Sequence, residues 1–178
     1  NQKVYKYLFI AYLILIPKFC MASVADGKAS EGMDLYKKRV FDQASQKFLE
    51  ASNGKPNDPK ISYNLGNSRY REGKFEDALQ DYSKSLSQKS HAALKQKSVY
   101  NMGNTLFRMK KFSESIDAYK KALTLDPNDM DAKFNLEFVR EQIKKKKQRQ
   151  DKSKQNKEDK KNVSERNKKN KENTPSNK

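Results

Sequence analysis

Tryptophan is absent from this chain, cysteine and histidine occur once each (Cys20 and His91), and glycine occurs only six times. One cysteine cannot form a disulfide within the chain, and one Cys with one His cannot build a Cys/His zinc site. A lone His91 inside a polar loop gives no basis for a Ser-His-Asp triad either. The paired carboxylates Glu76-Asp77 stand at a turn entry, where helix-start residues usually do, so no acid/base constellation emerges and the chain is read as a non-enzyme that needs no cofactor. Long apolar runs are also missing. The longest stretch, Tyr7 to Ile16, is ten residues, whereas a spanning helix needs about 20. No alternating apolar pattern suggests a sheet. Only 34% of residues are apolar and 34% are charged, a thin supply of core for one compact globule.

What is present is a repeated helical pattern. The segment "NLGNSRYREGKFEDALQDYSKSL" (64–86) returns as "NMGNTLFRMKKFSESIDAYKKAL" (101–123), with nine of 23 positions identical at an offset of 37. Aligning Gly66 with Gly103 brings Lys74/Lys111, Phe75/Phe112, Tyr82/Tyr119 and Leu86/Leu123 into register. An earlier copy begins around Gly32, where Phe41, Ala44 and Phe48 match Phe75, Ala78 and Tyr82 at an offset of 34. Pro56 and Pro127 each follow their repeat's first Gly by 24 residues.

This period and pattern resemble the tetratricopeptide repeat, TPR. The expected fold is therefore all-α: a solenoid of three helix-turn-helix repeats, about 27–60, 61–97 and 98–129, with a capping helix at 130–146. Each landmark has a mechanical reason. Gly lets the first helix of a repeat (A) approach the second (B). Ala44 and Ala78 do the same from the B side, and Ser115 replaces that small Ala. Pro56 and Pro127 end B helices, because proline lacks the N–H donor. Arg39 and Lys110 stand where the A–B turn often has Gly, which implies a turn that is strained or differently built. Three extra residues around Ser87–Lys95 imply a longer second B helix or a longer exit loop. In the cap, Phe134, Phe138 and Ile143 fall at helical spacing and are expected to pack, with Leu136 and Val139 beside them.

Within repeats two and three, Asn64/Asn67/Arg71 and Asn101/Asn104/Arg108 stand at i, i+3, i+7, so each trio shares one helix face. In a TPR stack the A helices line the concave groove. The trios, flanked by Tyr63 and Tyr100 and extended by Lys97 and Asn135, are thus the expected peptide-binding groove. Asn carries a donor and an acceptor and can grip an extended backbone, while Arg71 and Arg108 offer charge-assisted donors to carboxylates. The alternative is that these amides bond a neighbouring helix. The Lys/Asn/Asn/Lys/Arg carboxylate clamp of some TPR domains is not matched, since Ala29 and Met33 stand at its first two places.

The ends differ from the middle. Residues 1–25 carry Lys3 and Lys6, then the apolar stretch, then Ser23-Val24-Ala25. They are read as a secretory signal cut after Ala25, with an uncleaved anchor as the alternative. Lys18-Phe19 stand where lipid acylation at Cys20 wants a small residue. Of the +17 net charge, residues 144–178 hold 15 Lys/Arg against 5 Asp/Glu. Residues 147–178 contain one aliphatic side chain, Val163, and are expected to be a disordered Lys-rich tail, helical only where it continues the capping helix. The tail either docks on an anionic membrane surface or only solubilises the chain. It has no interleaved aromatics for base stacking, and nucleic acid is not an expected partner.

The cap "DAKFNLEFVR" (131–140), following NMGN-type repeats, is similar to the TPR subunit of the bacterial Bat (Bacteroides aerotolerance) system. That resemblance implies a periplasmic or membrane-associated adaptor. It also implies von Willebrand A-domain membrane proteins as partners and a role in oxidative-stress tolerance. A general exported TPR scaffold, and an anchored TPR facing the cytoplasm, remain open beside it.

Overall fold

The computed structural model describes residues 23–172, which form seven α-helices and, among those residues, no strand. The helices are α1 (23–37), α2 (Phe41–Gly54), α3 (Pro59–Glu72), α4 (Phe75–Ser85), α5 (Ala92–Arg108), α6 (Phe112–Leu125) and α7 (Met130–Glu172). α1, α3 and α5 are the A helices; α2, α4 and α6 are the B helices. The described residues fall into two compact units, one up to Leu136 and one from Glu137 onward. The proposed signal segment up to residue 22 lies outside the described residues. Ala25, the last residue of that segment, is buried within α1.

The helix ends follow local chemistry. Asp58 caps α3 by accepting from the Lys60 and Ile61 amides, with Pro59 in the first turn where its missing donor costs nothing. In the Asp126-Pro127-Asn128-Asp129 turn, Asp126 accepts from the Asn128 amide and Asp129 from the Ala132 amide, which starts α7. His91 is exposed, and its Nδ1 caps α5 by accepting from the Leu94 amide at 3.2 Å. The A–B turns each pass through one left-handed residue: Arg39 (φ 64°), Gly73 (φ 82°) and Lys110 (φ 63°). The strain expected at Arg39 and Lys110 is therefore present.

The extra residues before Ser98 do not lengthen the second B helix. α4 has 11 residues against 14 in α2 and in α6. They go into the turn after Ser85 and into α5, which starts at Ala92 and runs 17 residues.

Within the first unit, consecutive helices pack from α2 through α6, and α3 also touches α5. Between each A and B helix sits one aromatic ring under one glycine. A Cβ added at Gly32 would stand 3.0 Å from the Phe48 ring, at Gly66 2.8 Å from Tyr82, and at Gly103 2.7 Å from Tyr119. These rings are fully buried. Ser115 is buried too, and its hydroxyl donates to the Gly103 carbonyl at 2.8 Å, so the replaced alanine becomes a bonded contact.

One expectation for α7 needs correction. The packing side in the first unit is Ala132 and Leu136, while Phe134 is 70% exposed and Phe138 40% exposed. The reason is register: Phe134 stands at the position held by Tyr63 in α3 and Tyr100 in α5, which is not the face that meets the preceding B helix. Beyond residue 146 the helical alternative is the one seen, since α7 continues the cap and runs 43 residues to Glu172. No Gly or Pro interrupts 130–172, and Lys, Arg, Gln and Glu are good helix formers. Among the described residues, no helix is long and apolar enough to cross a membrane.

Candidate functional site

The A-helix face carries the asparagines, and most of them are already engaged. Asn67 Oδ1 accepts from the Tyr82 hydroxyl at 2.9 Å and from Asn101 Nδ2 at 2.9 Å. Asn101 Nδ2 also reaches the Tyr63 hydroxyl at 3.3 Å. One repeat later the same rung recurs. Asn104 Oδ1 accepts from Tyr119 at 2.7 Å and from Asn135 Nδ2 at 3.1 Å, and Asn135 donates to the Tyr100 hydroxyl at 2.9 Å. Asn104 Nδ2 closes the row on Asn101 Oδ1 at 3.5 Å. The amides thus tie α3 to α5 and α5 to α7, and accept from the buried tyrosines of α4 and α6. Burial pushes the Tyr82 and Tyr119 hydroxyls well above their usual range, so both stay protonated donors.

The first repeat breaks the row. Met33 and Phe48 stand where later copies have Asn67/Tyr82 and Asn104/Tyr119, so the amide and the hydroxyl disappear together. Ala29 and Met33 likewise stand where Tyr63 and Asn67 receive Asn101. Asn64 therefore has no rung to join. It lines a cleft of about 240 Å³ with Met33, Tyr36, Phe48, Tyr63 and Asn67. A second cleft, of about 160 Å³, is lined by Tyr36, Asn67, Tyr70, Arg71, Asn101 and Asn104, together with Tyr82. Tyr36 and Asn67 belong to both, so the clefts adjoin.

The arginines have a further neighbour. The Arg71 guanidinium lies over the Phe41 ring at 4.5 Å, and Arg108 lies over Phe75 at 5.6 Å. Each lies over the first residue of the preceding B helix, a cation–π placement. Of the residues expected in the groove, Tyr63, Asn64, Asn67, Arg71, Asn101 and Asn104 come together around the two clefts. Lys97, Tyr100, Arg108 and Asn135 line neither. Sequence reasoning missed Met33, Tyr36, Phe48, Tyr70 and Tyr82. A signal for two of them exists: Tyr36/Phe41, Tyr70/Phe75 and Phe107/Phe112 recur five residues apart across each A–B turn, with ring centroids 5.3, 5.7 and 5.6 Å apart.

Three helix pairs with a glycine-spaced A–B contact and an asparagine ladder define a helical-repeat interaction scaffold. Sequence models of the tetratricopeptide repeat match residues 30–93 and 97–129. The chain is a tetratricopeptide-repeat protein. Solved structures of the same fold include the Sgt2 TPR domain from Aspergillus fumigatus, with TM-score 0.62 and 20% identity over 70% of this chain and 82% of that one. The first TPR of Spaghetti (RPAP3) bound to an HSP90 peptide gives 0.61 and 22% over 68% of this chain and 94% of that one. The TPR2AB–HSP90 complex of yeast Sti1 gives 0.63 and 25% over 70% of this chain and 49% of that one. No curated protein matches the chain.

Proposed function

We propose that this chain is a non-enzymatic adaptor that holds an extended segment of a protein partner against its A-helix face. The observation that carries this reading is Asn64, which lines the cleft between α1 and α3 while the other asparagines of the row bond within the stack. An amide beside an apolar cleft can bond a backbone and seat a side chain at once. TPR structures of the same fold include the Spaghetti domain bound to an HSP90 peptide and the Sti1 complex with HSP90. The missing clamp residues at Ala29 and Met33 speak against the same chaperone ligand here.

The finer reading rests on the 131–140 run and its similarity to the Bat TPR subunit. It makes the partners von Willebrand A-domain membrane proteins of an envelope complex that serves oxidative-stress tolerance. An extracytoplasmic location follows from the signal-like reading of residues 1–25. The second reading, a general exported scaffold whose tail docks on anionic membranes, is favoured by the lysine-rich continuation of α7. A photo-crosslinking amino acid at Tyr36, which lines both clefts, tests the adaptor reading in cells. Cross-links to A-domain membrane proteins are the expected result. Cross-links to other proteins would leave the general scaffold, and no cross-linked protein at all would overturn groove binding.

A further inference from the structure

The two adjoining clefts differ in chemistry, and the difference selects a ligand. The larger is lined by Met33, Phe48 and the rings of Tyr36 and Tyr63, with Asn64 at its side. Its roughly 240 Å³ exceeds the volume of about 150 Å³ that admits a benzene ring in an apolar cavity, so one leucine- or phenylalanine-sized side chain can enter. The smaller is polar and contains Tyr70 and Arg71. No carboxylate lines either cleft, and among the described residues Arg71 has no acidic partner. Its guanidinium lies 4.5 Å over the Phe41 ring, and a guanidinium can offer two parallel donors to a carboxylate.

Resting on the adaptor reading above, we infer that the occupant is an extended segment of a partner protein in which a large apolar side chain stands next to an acidic one. The apolar side chain fills the α1–α3 cleft. The Asn64 amide bonds the backbone beside it, and the carboxylate meets Arg71. The row ends here because the first repeat replaces the Asn/Tyr pair by Met33/Phe48: the substitution that removes a structural hydrogen bond also creates the apolar seat. Charge complementarity points the same way, since the cations of this face, Arg71, Lys97 and Arg108, include no ion-paired member among the described residues.

The test uses the full chain and three blocked peptides, acetylated and amidated, built on a Gly/Ser background. One carries adjacent Leu and Glu, one Leu and Gln, and one Ala and Glu. Side-chain amide and backbone NMR shifts are followed up to millimolar peptide. The Leu-Glu peptide is expected to move Asn64 and the α1 and α3 signals around Met33 and Tyr70. It should bind roughly two- to tenfold more tightly than the other two. Asn64→Ala and Arg71→Gln should each remove most of that preference while helical circular dichroism holds. The Arg71 effect should shrink as salt rises. Equal binding of the three peptides, shifts confined to other helices, or no shift at all overturns the inference. If a basic or wholly polar peptide occupies the same clefts, the inference fails while the adaptor reading stands. If the photo-crosslink at Tyr36 also captures nothing, both fail. Groove shifts produced by deleting residues 1–22, with none from any peptide, would assign the clefts to the chain's own N-terminal segment and overturn the inference as well.

Discussion

At the scale of single residues, the asparagine row is a structural device with one open end. Tyr82 is fully buried and its hydroxyl has an acceptor only because Asn67 stands opposite. Asn67→Met alone should therefore cost about 1–3 kcal/mol by leaving a buried hydroxyl unsatisfied. Adding Tyr82→Phe recreates the Met33/Phe48 pair of the first repeat and should recover part of that loss. Urea denaturation of the two single variants and the double variant reads the coupling, and strictly additive losses would contradict it. Asp81 supplies a second test. Burial raises its carboxyl above the ordinary range, against the opposing pull of Arg69 at 2.7 Å and of Lys84. A raised value means that the folded state binds a proton more readily than the unfolded state, so this group's contribution to stability falls as pH rises through its titration range. Wild-type protein should gain stability relative to Asp81→Asn as pH drops from neutral into that range, and parallel stability–pH curves would refute the assignment. The positions of these residues are legible in the sequence, because repeat register fixes them. Which way an amide bonds is not, because i, i+3, i+7 spacing gives a face and not a partner. The paired change from Met33/Phe48 to Asn67/Tyr82 was the available signal.

At the scale of elements, the A–B turn shows what register reveals beyond composition. Only Gly73 of the three left-handed positions is glycine, yet alignment on Gly66 and Gly103 places Arg39 and Lys110 at the same point. The left-handed conformation costs a side chain about 1–2 kcal/mol, and added glycine entropy returns about 0.4–1 kcal/mol of that to the unfolded state. Lys110→Gly should thus be neutral or stabilising by up to about 1.5 kcal/mol, and Gly73→Ala should destabilise by a similar amount. Chemical denaturation checks both signs, and a destabilising Lys110→Gly would mean that the Lys110 side chain matters more than its backbone. α7 was the least legible element. Phe134 and Phe138 look like a packing stripe, but within the first unit helix register buries Ala132 and Leu136 instead, with Ala132 against Val99 and Ala122. The absence of core-forming residues beyond Lys146 leaves disorder or a continued cap helix equally open, and a helix already started at Asp129 extends through good helix formers at little cost.

At the scale of the whole molecule, stability resides in the repeats, while the last helix carries 16 Lys/Arg against 8 Asp/Glu, about half of the net charge. The described side chains from Lys144 to Lys157 are exposed. Deleting residues 151–178 should leave the thermal midpoint almost unchanged, and a drop of more than a few degrees would show that this segment packs. Fold class was readable from period alone. The binding end of the stack was not, because it depends on where a structural ladder stops. The central claim is that the ladder asparagines hold helices while Asn64 reads the ligand, and one experiment separates the two most directly. Titration calorimetry of the cross-linked partner into Asn64→Ala should show affinity roughly two- to twelvefold weaker, the loss of one hydrogen bond, with an unchanged unfolding midpoint. An unchanged affinity with a lowered midpoint would make Asn64 one more structural rung and would contradict the account.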